Sequence, residues 1–174
     1  MTIFVVDVEA DGQCPGIYNM LEIGSVAIMP DLSFRTFYGK LAPITDNYQQ
    51  QAIAVTGLTR DVTANYPDPE ATIIEFEYWV SFTNVSQKPQ FFSDNNGFDW
   101  QFVNYYFWKF GKGNPFGHSS TNINSLYKGL TGTMFSNFKH LRRTKHDHNP
   151  VNDAMGNAEA LIEMKKRLDL KIRF

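Results

Sequence analysis

The feature that most constrains the fold is an apolar run that ends in acidic residues near the start of the chain. Thr2–Val8 (TIFVVDV) is rich in β-branched and aromatic residues, which is typical of a buried strand. Asp7 and Glu9 lie at its end, and residues i and i+2 of a strand point to the same face. Gly12 follows, where the chain can turn sharply. The alternative is an ordinary acidic loop in which Asp11 is another solvated charge.

The rest of the chain predicts further strands and then helices. Strands are expected over Met20–Met29 and Ser33–Leu41, which would complete a meander, and over Lys88–Phe92. Helices are expected from Pro67–Glu70 to Phe82, over Phe98–Phe110, over Asn122–Lys128 and over Asn152–Leu168. The 174 residues show no repeat and no linker. We therefore expect one domain, residues 1–174, of the α/β or α+β class.

Two further segments carry acids where a predicted helix begins. Asp99 follows the short fourth strand and opens an aromatic helix, with Asp94 as a competing acid or turn residue nearby. Asp153 falls in the first turn of the final helix, and His148 precedes it in a loop, with His146 as a rival histidine. Each acid alone has an ordinary explanation, because carboxylates stabilise helix N-termini.

Together, four carboxylates and one histidine form the parts of a hydrolytic metal centre. Oxygen-rich clusters suit Mg²⁺ or Mn²⁺, and two such ions about 4 Å apart can clamp the oxygens of a phosphodiester displacement. A histidine, with a pKa of about 6.5, can take the proton of an attacking water near neutral pH. Zinc is less expected, because one cysteine and four scattered histidines show no tetrahedral ligand spacing.

Three ordered motifs resemble the DEDDh 3′–5′ exonucleases, the family of the epsilon proofreading subunit, RNase T and oligoribonuclease. The strand–D-x-E-x-x-G motif matches Asp7, Glu9 and Gly12. The H-N-x-x-F-D motif matches Asn95, Phe98 and Asp99, with Asp94 where the family often has histidine. The H-x-x-x-x-D-A motif matches His148, Asp153 and Ala154, and this spacing selects His148 over His146.

Two secondary segments also fit the family, and a few positions depart from it. Leu21–Ile28 resembles its second strand, and Ala54–Val62 resembles its V-H-G-I-T segment with Thr56 in place of histidine. Ala10 and Asp11 replace the usual small hydroxyl residues, so Asp11 would either repel a substrate phosphate or face solvent. These departures concern the substrate rather than the metal centre.

The resemblance implies an RNase H-like fold, a mixed β-sheet of about five strands flanked by helices. It implies two Mg²⁺ or Mn²⁺ ions on Asp7, Glu9, Asp99 and Asp153, with Asp7 shared between them. His148 would deprotonate the water that attacks the 3′-terminal phosphodiester of DNA or RNA. The products would be 5′-nucleoside monophosphates and a shortened strand.

Substrate contacts are expected on both sides of this centre. The resemblance places Leu21 and Glu22 beside the terminal nucleotide, and Phe98 could stack on a base. Gly12 and Asn95 of the matched motifs are also expected to contact the substrate. An apolar stripe of the Phe98–Phe110 helix is expected in the core, namely Trp100, Phe102, Val103, Phe107 and Phe110. In the basic segment Lys139–His146, Arg142 and Arg143 would bind phosphates, unless the segment is simply a solvated surface.

An active enzyme on single-stranded or 3′-overhang nucleic acid is therefore expected, with a homodimer as in some relatives. The alternatives are a non-catalytic nucleic-acid-binding scaffold and a polymerase-associated proofreading subunit. The single cysteine, Cys14, and the lack of a signal peptide favour the cytoplasm. No apolar run approaches the roughly 20 residues that span a membrane.

The net charge is consistent with this expectation once the acids are assigned. Its value of −2 arises from 16 basic and 18 acidic residues and by itself indicates no nucleic-acid partner. Subtracting the four metal-site carboxylates from the 18 leaves 14, so the remaining scaffold is mildly basic. Two divalent ions would change the charge of the whole protein from −2 to +2.

Overall fold

A computed structural model describes residues 1–174 and shows a five-stranded mixed sheet. The strands are β1 (Ile3–Ala10), β2 (Met20–Ile28), β3 (Phe34–Lys40), β4 (Gln90–Ser93) and β5 (Ser120–Asn122), in the order β3-β2-β1-β4-β5. The predicted meander is confirmed, because β1 pairs antiparallel with β2, and β2 pairs antiparallel with β3. The later strands β4 and β5 are parallel to β1 and to each other.

Six α-helices connect and cover the strands. They are α1 (Gln50–Val55), α2 (Arg60–Thr63), α3 (Pro69–Thr83), α4 (Asn96–Phe110), α5 (Ile123–Thr131) and α6 (Pro150–Arg167), and a short 3₁₀ helix spans Lys139–Leu141. The predicted start of α3 is confirmed, since Asp68 accepts a hydrogen bond from the Glu70 amide and Pro69 occupies the first turn. No helix combines the length and apolar character needed to cross a bilayer.

Two hydrophobic layers lie on opposite faces of the sheet, and β1 contributes to both. Phe4, Val6 and Val8 belong to the layer formed with α3 and α4, whereas Ile3 and Val5 belong to the layer formed with α5 and α6. Side chains alternate along a strand, so the residues that follow Ile3 and Val5 on the same face are Asp7 and Glu9. The fold thus directs both acids towards α6.

The aromatic stripe of α4 is mostly core, as predicted. Phe102, Val103 and Phe107 are fully buried, and Trp100 and Phe110 pack against the same layer at its margin. Phe98 is the exception near the start of the helix, where it is half-buried and packs against Phe102. Only this ring of the stripe lies at the edge of the sheet where β1 and β4 end.

Gly24 brings the start of α6 close to the middle of the sheet. Gly24 pairs with Asp7 across β1 and β2, and a Cβ at Gly24 would lie 2.2 Å from the Pro150 carbonyl carbon and 2.4 Å from the Val151 nitrogen. These neighbours are backbone atoms, so no side-chain rotation can relieve the overlap. Gly24 therefore sets the distance between β1 and the first turn of α6.

Gly24→Ala should lower the free energy of unfolding by about 1–3 kcal/mol, the usual cost of overpacking a close contact. Urea unfolding followed by circular dichroism measures this loss. Gly129→Ala is the matched control, because a Cβ at Gly129 in α5 would meet no atom within 4 Å beyond its own helix backbone, and alanine is the better helix former. Equal stability of Gly24→Ala and the wild type would contradict the close approach.

Candidate active site

A cleft lies where the carboxyl ends of the parallel strands β1 and β4 meet the loop that precedes α6. Asp7 and Glu9 come from β1, and Asp99 comes from the first turn of α4, directly after β4. Asp153 comes from the first turn of α6. The residues that line the cleft are Asp7, Val8, Glu9, Ala10, Gln13, Ala52, Val55, Asn95, Phe98, Asp99, His146 and His148.

The four acids selected from the sequence converge at this edge. One carboxylate oxygen from each of Asp7, Glu9 and Asp153 lies within 4.8 Å of the others. Asp99 is held next to this group by β1, because its Oδ1 accepts a hydrogen bond of 3.3 Å from the backbone amide of Val8, between Asp7 and Glu9. Glu9, Asp99 and Asp153 are almost completely buried. The arrangement concentrates negative charge in a place with little solvent to screen it.

Burial and mutual repulsion both act on the protonation of this group. Burial, followed by the nearby carboxylates of Asp99, Glu9 and Asp153, raises the pKa of Asp7 well above its usual range. Burial and the carboxylate of Asp153 raise the pKa of Glu9 to about 8, and burial raises the pKa of Asp99 to about 7. The metal-free site therefore holds protons that ordinary aspartates and glutamates would have released.

The start of α6 is held by its own cap, which positions Asp153. The Asn149 side chain accepts hydrogen bonds from the amides of Val151 and Asn152, and Pro150 occupies the first turn. The Asp147 amide donates a hydrogen bond of 3.2 Å to Oδ1 of Asp153. Cap and loop together fix the direction of the Asp153 carboxylate.

His146 and His148, both in the loop before α6, lie in the cleft. Motif spacing had favoured only His148. The Nδ1 atom of His148 is 3.8 Å from Oε1 of Glu9, and the Nδ1 atom of His146 is 2.7 Å from Oδ2 of Asp153. Their ring centroids are 4.5 Å apart. His148 has a left-handed backbone (φ 60°), and the chain bends there. Motif spacing selected His148 alone, so His146, named only as its rival, was not predicted to belong to the site.

The predicted substrate residues divide between the cleft and the interior. Asn95 and Phe98 line the cleft. Leu21 and Glu22 are buried, and Glu22 lies opposite Glu9 in the sheet and accepts a hydrogen bond of 2.9 Å from the Tyr66 hydroxyl. A Cβ at Gly12 would lie 2.2 Å from the Tyr18 ring, so close packing by itself explains why a glycine occupies this position.

The two predicted phosphate-binding arginines are engaged by acids. Arg142 donates to Asp94 at 2.8 Å, and its side chain is only 8% exposed. Arg143 donates to Glu163 at 2.8 Å, with a side chain that is 71% exposed. Asp94 is thus a partner of Arg142 rather than the N-cap of α4, which is Asn95. Of the two arginines, Arg143 is the one that solvent reaches.

The expectation that Asp11 would face solvent or repel a substrate phosphate is wrong. Its side chain is fully buried, and its carboxylate accepts hydrogen bonds of 2.7 Å from both the amide and the Nδ2 of Asn19. Arg60 of α2 also donates to it at 2.8 Å. The carboxylate therefore ties the β1–β2 connection to α2 and does not line the cleft.

One wall of the cleft comes from a helix that the sequence did not predict. Ala52 and Val55 of α1 lie there, opposite the histidines' loop, and Gln13 closes the side next to β1. The local sequence shows only a break in the strand pattern after Pro43. Its resemblance to a family segment was the one signal that this region belongs to the site.

Comparisons with known proteins agree with this geometry. The family model RNase T, described as Exonuclease, matches residues 4–161. The Escherichia coli protein named 3′-5′ DNA exonuclease Cap18 is 34% identical, across 96% of this chain and 96% of that protein.

Solved structures show the same fold at lower identity. The nuclease domain of 3′hExo, described as a DEDDh family member bound to rAMP, has a TM-score of 0.76 at 17% identity, covering 99% of this chain and 96% of that one. E. coli exonuclease I in complex with a dT13 oligonucleotide has a TM-score of 0.77 at 15% identity. The match covers 97% of this chain but only 42% of exonuclease I. The predicted RNase H-like fold is confirmed, and the chain belongs to the RNase T exonuclease family as a DEDDh 3′–5′ exonuclease.

Proposed function

We propose that this exonuclease shortens single-stranded DNA from its 3′ end, with residues 1–174 acting as one domain and two Mg²⁺ or Mn²⁺ ions as cofactors. The observation that carries the proposal is the convergence of Asp7, Glu9 and Asp153, with Asp99 and His148 in the same cleft. DNA is favoured because a relative that aligns over 96% of both chains is named a DNA exonuclease. A single strand is favoured because exonuclease I was solved with dT13.

The residues present fit a pair of hard divalent cations. Oδ2 of Asp99 is buried and accepts no hydrogen bond, and Oδ2 of Asp153 is contacted by Nδ1 of His146 at 2.7 Å. Leaving a buried carboxylate oxygen without a partner is costly, and so is the repulsion among the converging acids. Mg²⁺ and Mn²⁺ take oxygen ligands and would relieve both costs. Asp7, Glu9, Asp99 and Asp153 are the side chains that would hold them.

When bound, the ions supply positive charge that stabilises the phosphate as charge develops on its oxygens. The protein supplies the remaining functions. His148, whose side chain is 41% exposed in the cleft, takes the proton of the attacking water. Phe98 offers a half-buried ring on which the terminal base stacks, and Asn95 offers an exposed amide beside it. Arg143 contacts phosphates of the strand outside the cleft.

The function is tested with 5′-labelled single-stranded DNA, duplex DNA and RNA of one sequence, each incubated with Mg²⁺, Mn²⁺ or EDTA. We expect a ladder that shortens from the 3′ end, release of 5′-nucleoside monophosphates, fastest turnover of single-stranded DNA, and no product in EDTA. Faster degradation of RNA would overturn the DNA assignment. Activity that persists in EDTA would overturn the metal assignment.

The raised pKa values also predict how stability responds to pH. A carboxyl with a raised pKa in the folded state binds protons more tightly there than in the unfolded chain, so stability falls as pH rises between the two pKa values. For Glu9 this interval runs from the ordinary value of 4.5 to about 8. In EDTA, the thermal unfolding midpoint should therefore decrease from about pH 6 to about pH 8.

Mg²⁺ should reverse this trend, because metal binds the deprotonated carboxylates and stabilises only the folded state. The increase in the unfolding midpoint caused by Mg²⁺ should be larger at about pH 8 than at about pH 6. The double variant Glu9→Gln/Asp99→Asn is the control, and its midpoint should depend less on pH and on Mg²⁺. A larger Mg²⁺ effect at the lower pH would contradict the buried carboxylate cluster.

A further inference from the structure

We call Asp7, Glu9, Asp99 and Asp153 the carboxylate set. A second set of metal-ligating atoms lies at the mouth of the same cleft and differs from it in chemistry. One ligand atom from each of His146, His148 and Asp153 lies within 4.8 Å of the others. Two imidazole nitrogens and one carboxylate oxygen suit Zn²⁺ and other late first-row cations, whereas carboxylates alone suit Mg²⁺ and Mn²⁺. We call these three residues the histidine set; it shares Asp153 with the carboxylate set.

The shared carboxylate directs one of its oxygens at a histidine of this set. Oδ1 of Asp153 accepts the hydrogen bond from the Asp147 amide. Oδ2 lies 2.7 Å from Nδ1 of His146, and Asp153 is only 2% exposed. A buried carboxylate oxygen this close to an imidazole nitrogen is positioned to share a cation with that nitrogen, which replaces the proton between them.

The two imidazoles have the freedom to complete the coordination. Their side chains are 49% and 41% exposed and belong to a loop rather than to a helix or strand. Ligand atoms around a tetrahedral zinc ion are about 3.3 Å apart. The ligand atoms of His146, His148 and Asp153, which lie within 4.8 Å of one another, therefore need to approach by no more than about 1.5 Å. The sequence showed no zinc-like spacing because the third ligand, Asp153, comes from the first turn of α6 and not from the loop that carries the two histidines.

We propose that His146, His148 and Asp153 bind a late first-row divalent cation such as Zn²⁺, and that this binding stops the exonuclease. The inhibitory part rests on the proposed function. An ion on the histidine set occupies the imidazole of His148, so this side chain cannot accept the proton of the attacking water. The same ion binds Asp153, and this carboxylate is then less available as a ligand for the ions of the carboxylate set.

Binding is measured by calorimetric titration of Zn²⁺ into the full chain at saturating Mg²⁺, so that the carboxylate set is already occupied. All proteins carry Cys14→Ser, which removes the exposed thiol as a competing ligand. His146→Ala should weaken Zn²⁺ binding at least tenfold, since even residues that only support a ligand change metal affinity by about 10–100-fold. His118→Ala, which removes another exposed histidine, should bind Zn²⁺ like the parent.

Equal Zn²⁺ affinity of His146→Ala and the parent would overturn the site, because Zn²⁺ would then occupy the carboxylates. The absence of Zn²⁺ binding to the parent would overturn it as well. Circular dichroism of His146→Ala establishes that the variant is folded before its affinity is compared. These measurements do not depend on nuclease activity, so they test the site even if the proposed function fails.

Inhibition is measured as the ratio of each protein's rate with Mg²⁺ plus Zn²⁺ to its own rate with Mg²⁺ alone. At the Zn²⁺ concentration that saturates the parent, the parent should lose at least tenfold in rate, and His146→Ala should lose much less. The ratio for His118→Ala should equal that of the parent. Zn²⁺ binding without any loss of rate would overturn the inhibitory part.

Discussion

Asp7→Asn should abolish nearly all exonuclease activity while the protein remains folded. Asp7 lies at the centre of the acids, because the carboxylates of Asp99, Glu9 and Asp153 all act on its pKa. An amide at this position removes one negative charge and one strong oxygen ligand for the ions. A loss of about 4 kcal/mol of transition-state stabilisation corresponds to about a thousandfold loss in kcat, and we expect at least that.

The stability of the same variant should change in the opposite direction. In EDTA at about pH 8.5, Asp7→Asn should unfold at the same or a higher temperature than the wild type, since it carries no charge into a crowded acidic site. Mg²⁺ should stabilise it less than it stabilises the wild type. Activity is followed on the preferred oligonucleotide and unfolding by differential scanning calorimetry.

The exposed Asp46 offers the matched control for this variant. Asp46→Asn makes the same chemical change at an exposed position outside the cleft, and both its activity and its response to Mg²⁺ should be those of the wild type. Wild-type turnover by Asp7→Asn at saturating Mg²⁺ would contradict the assignment of the carboxylate set. An unfolded Asp7→Asn protein would contradict the view that the acids destabilise the metal-free fold.

The sequence predicted those elements whose pattern repeats over many residues. The apolar run of β1, the meander with β2 and β3, and the long helices α3, α4 and α6 all carry a clear period or end signal. Alternation along β1 was enough to place Asp7 and Glu9 on one face. Asp99 and Asp153 were singled out as acids at predicted helix starts, and the order of the family motifs strengthened their assignment to one site with Asp7 and Glu9.

The elements that were missed are short and depend on the rest of the fold. β5 has three residues and exists through its pairing with β4. α1 has six residues, no side-chain N-cap and no acid in its first turn, so its sequence lacks a helix-start signal.

Burial of Asp11 also could not be predicted, because its partners Asn19 and Arg60 belong to other segments of the chain. His146 belongs to the site through its contact with Asp153 rather than through a motif. Tertiary contacts therefore decided the details that local patterns could not.

Replacement of His148 should lower kcat by about a hundredfold to ten-thousandfold, the usual contribution of a general base. The choice of substitute matters, because the backbone at His148 is left-handed. Alanine is strained in that conformation, whereas asparagine tolerates it and glycine adopts it freely. His148→Asn therefore removes the imidazole with the least change to the loop that holds Asp153.

A structural role for His148 would also lower activity, so the test needs a readout specific to proton transfer. In His148→Gly, free imidazole in the buffer should restore part of the lost rate, in proportion to the concentration of its unprotonated form. His118→Gly serves as the control, because His118 is exposed outside the cleft and its variant should neither lose rate nor respond to imidazole.

Failure of imidazole to rescue His148→Gly, together with a wild-type rate for His148→Asn, would assign the base to another group. The remaining imidazole in the cleft belongs to His146, 4.5 Å away between ring centroids. Rescue of His148→Gly while His146 is still present would show that the neighbouring ring cannot take over this proton.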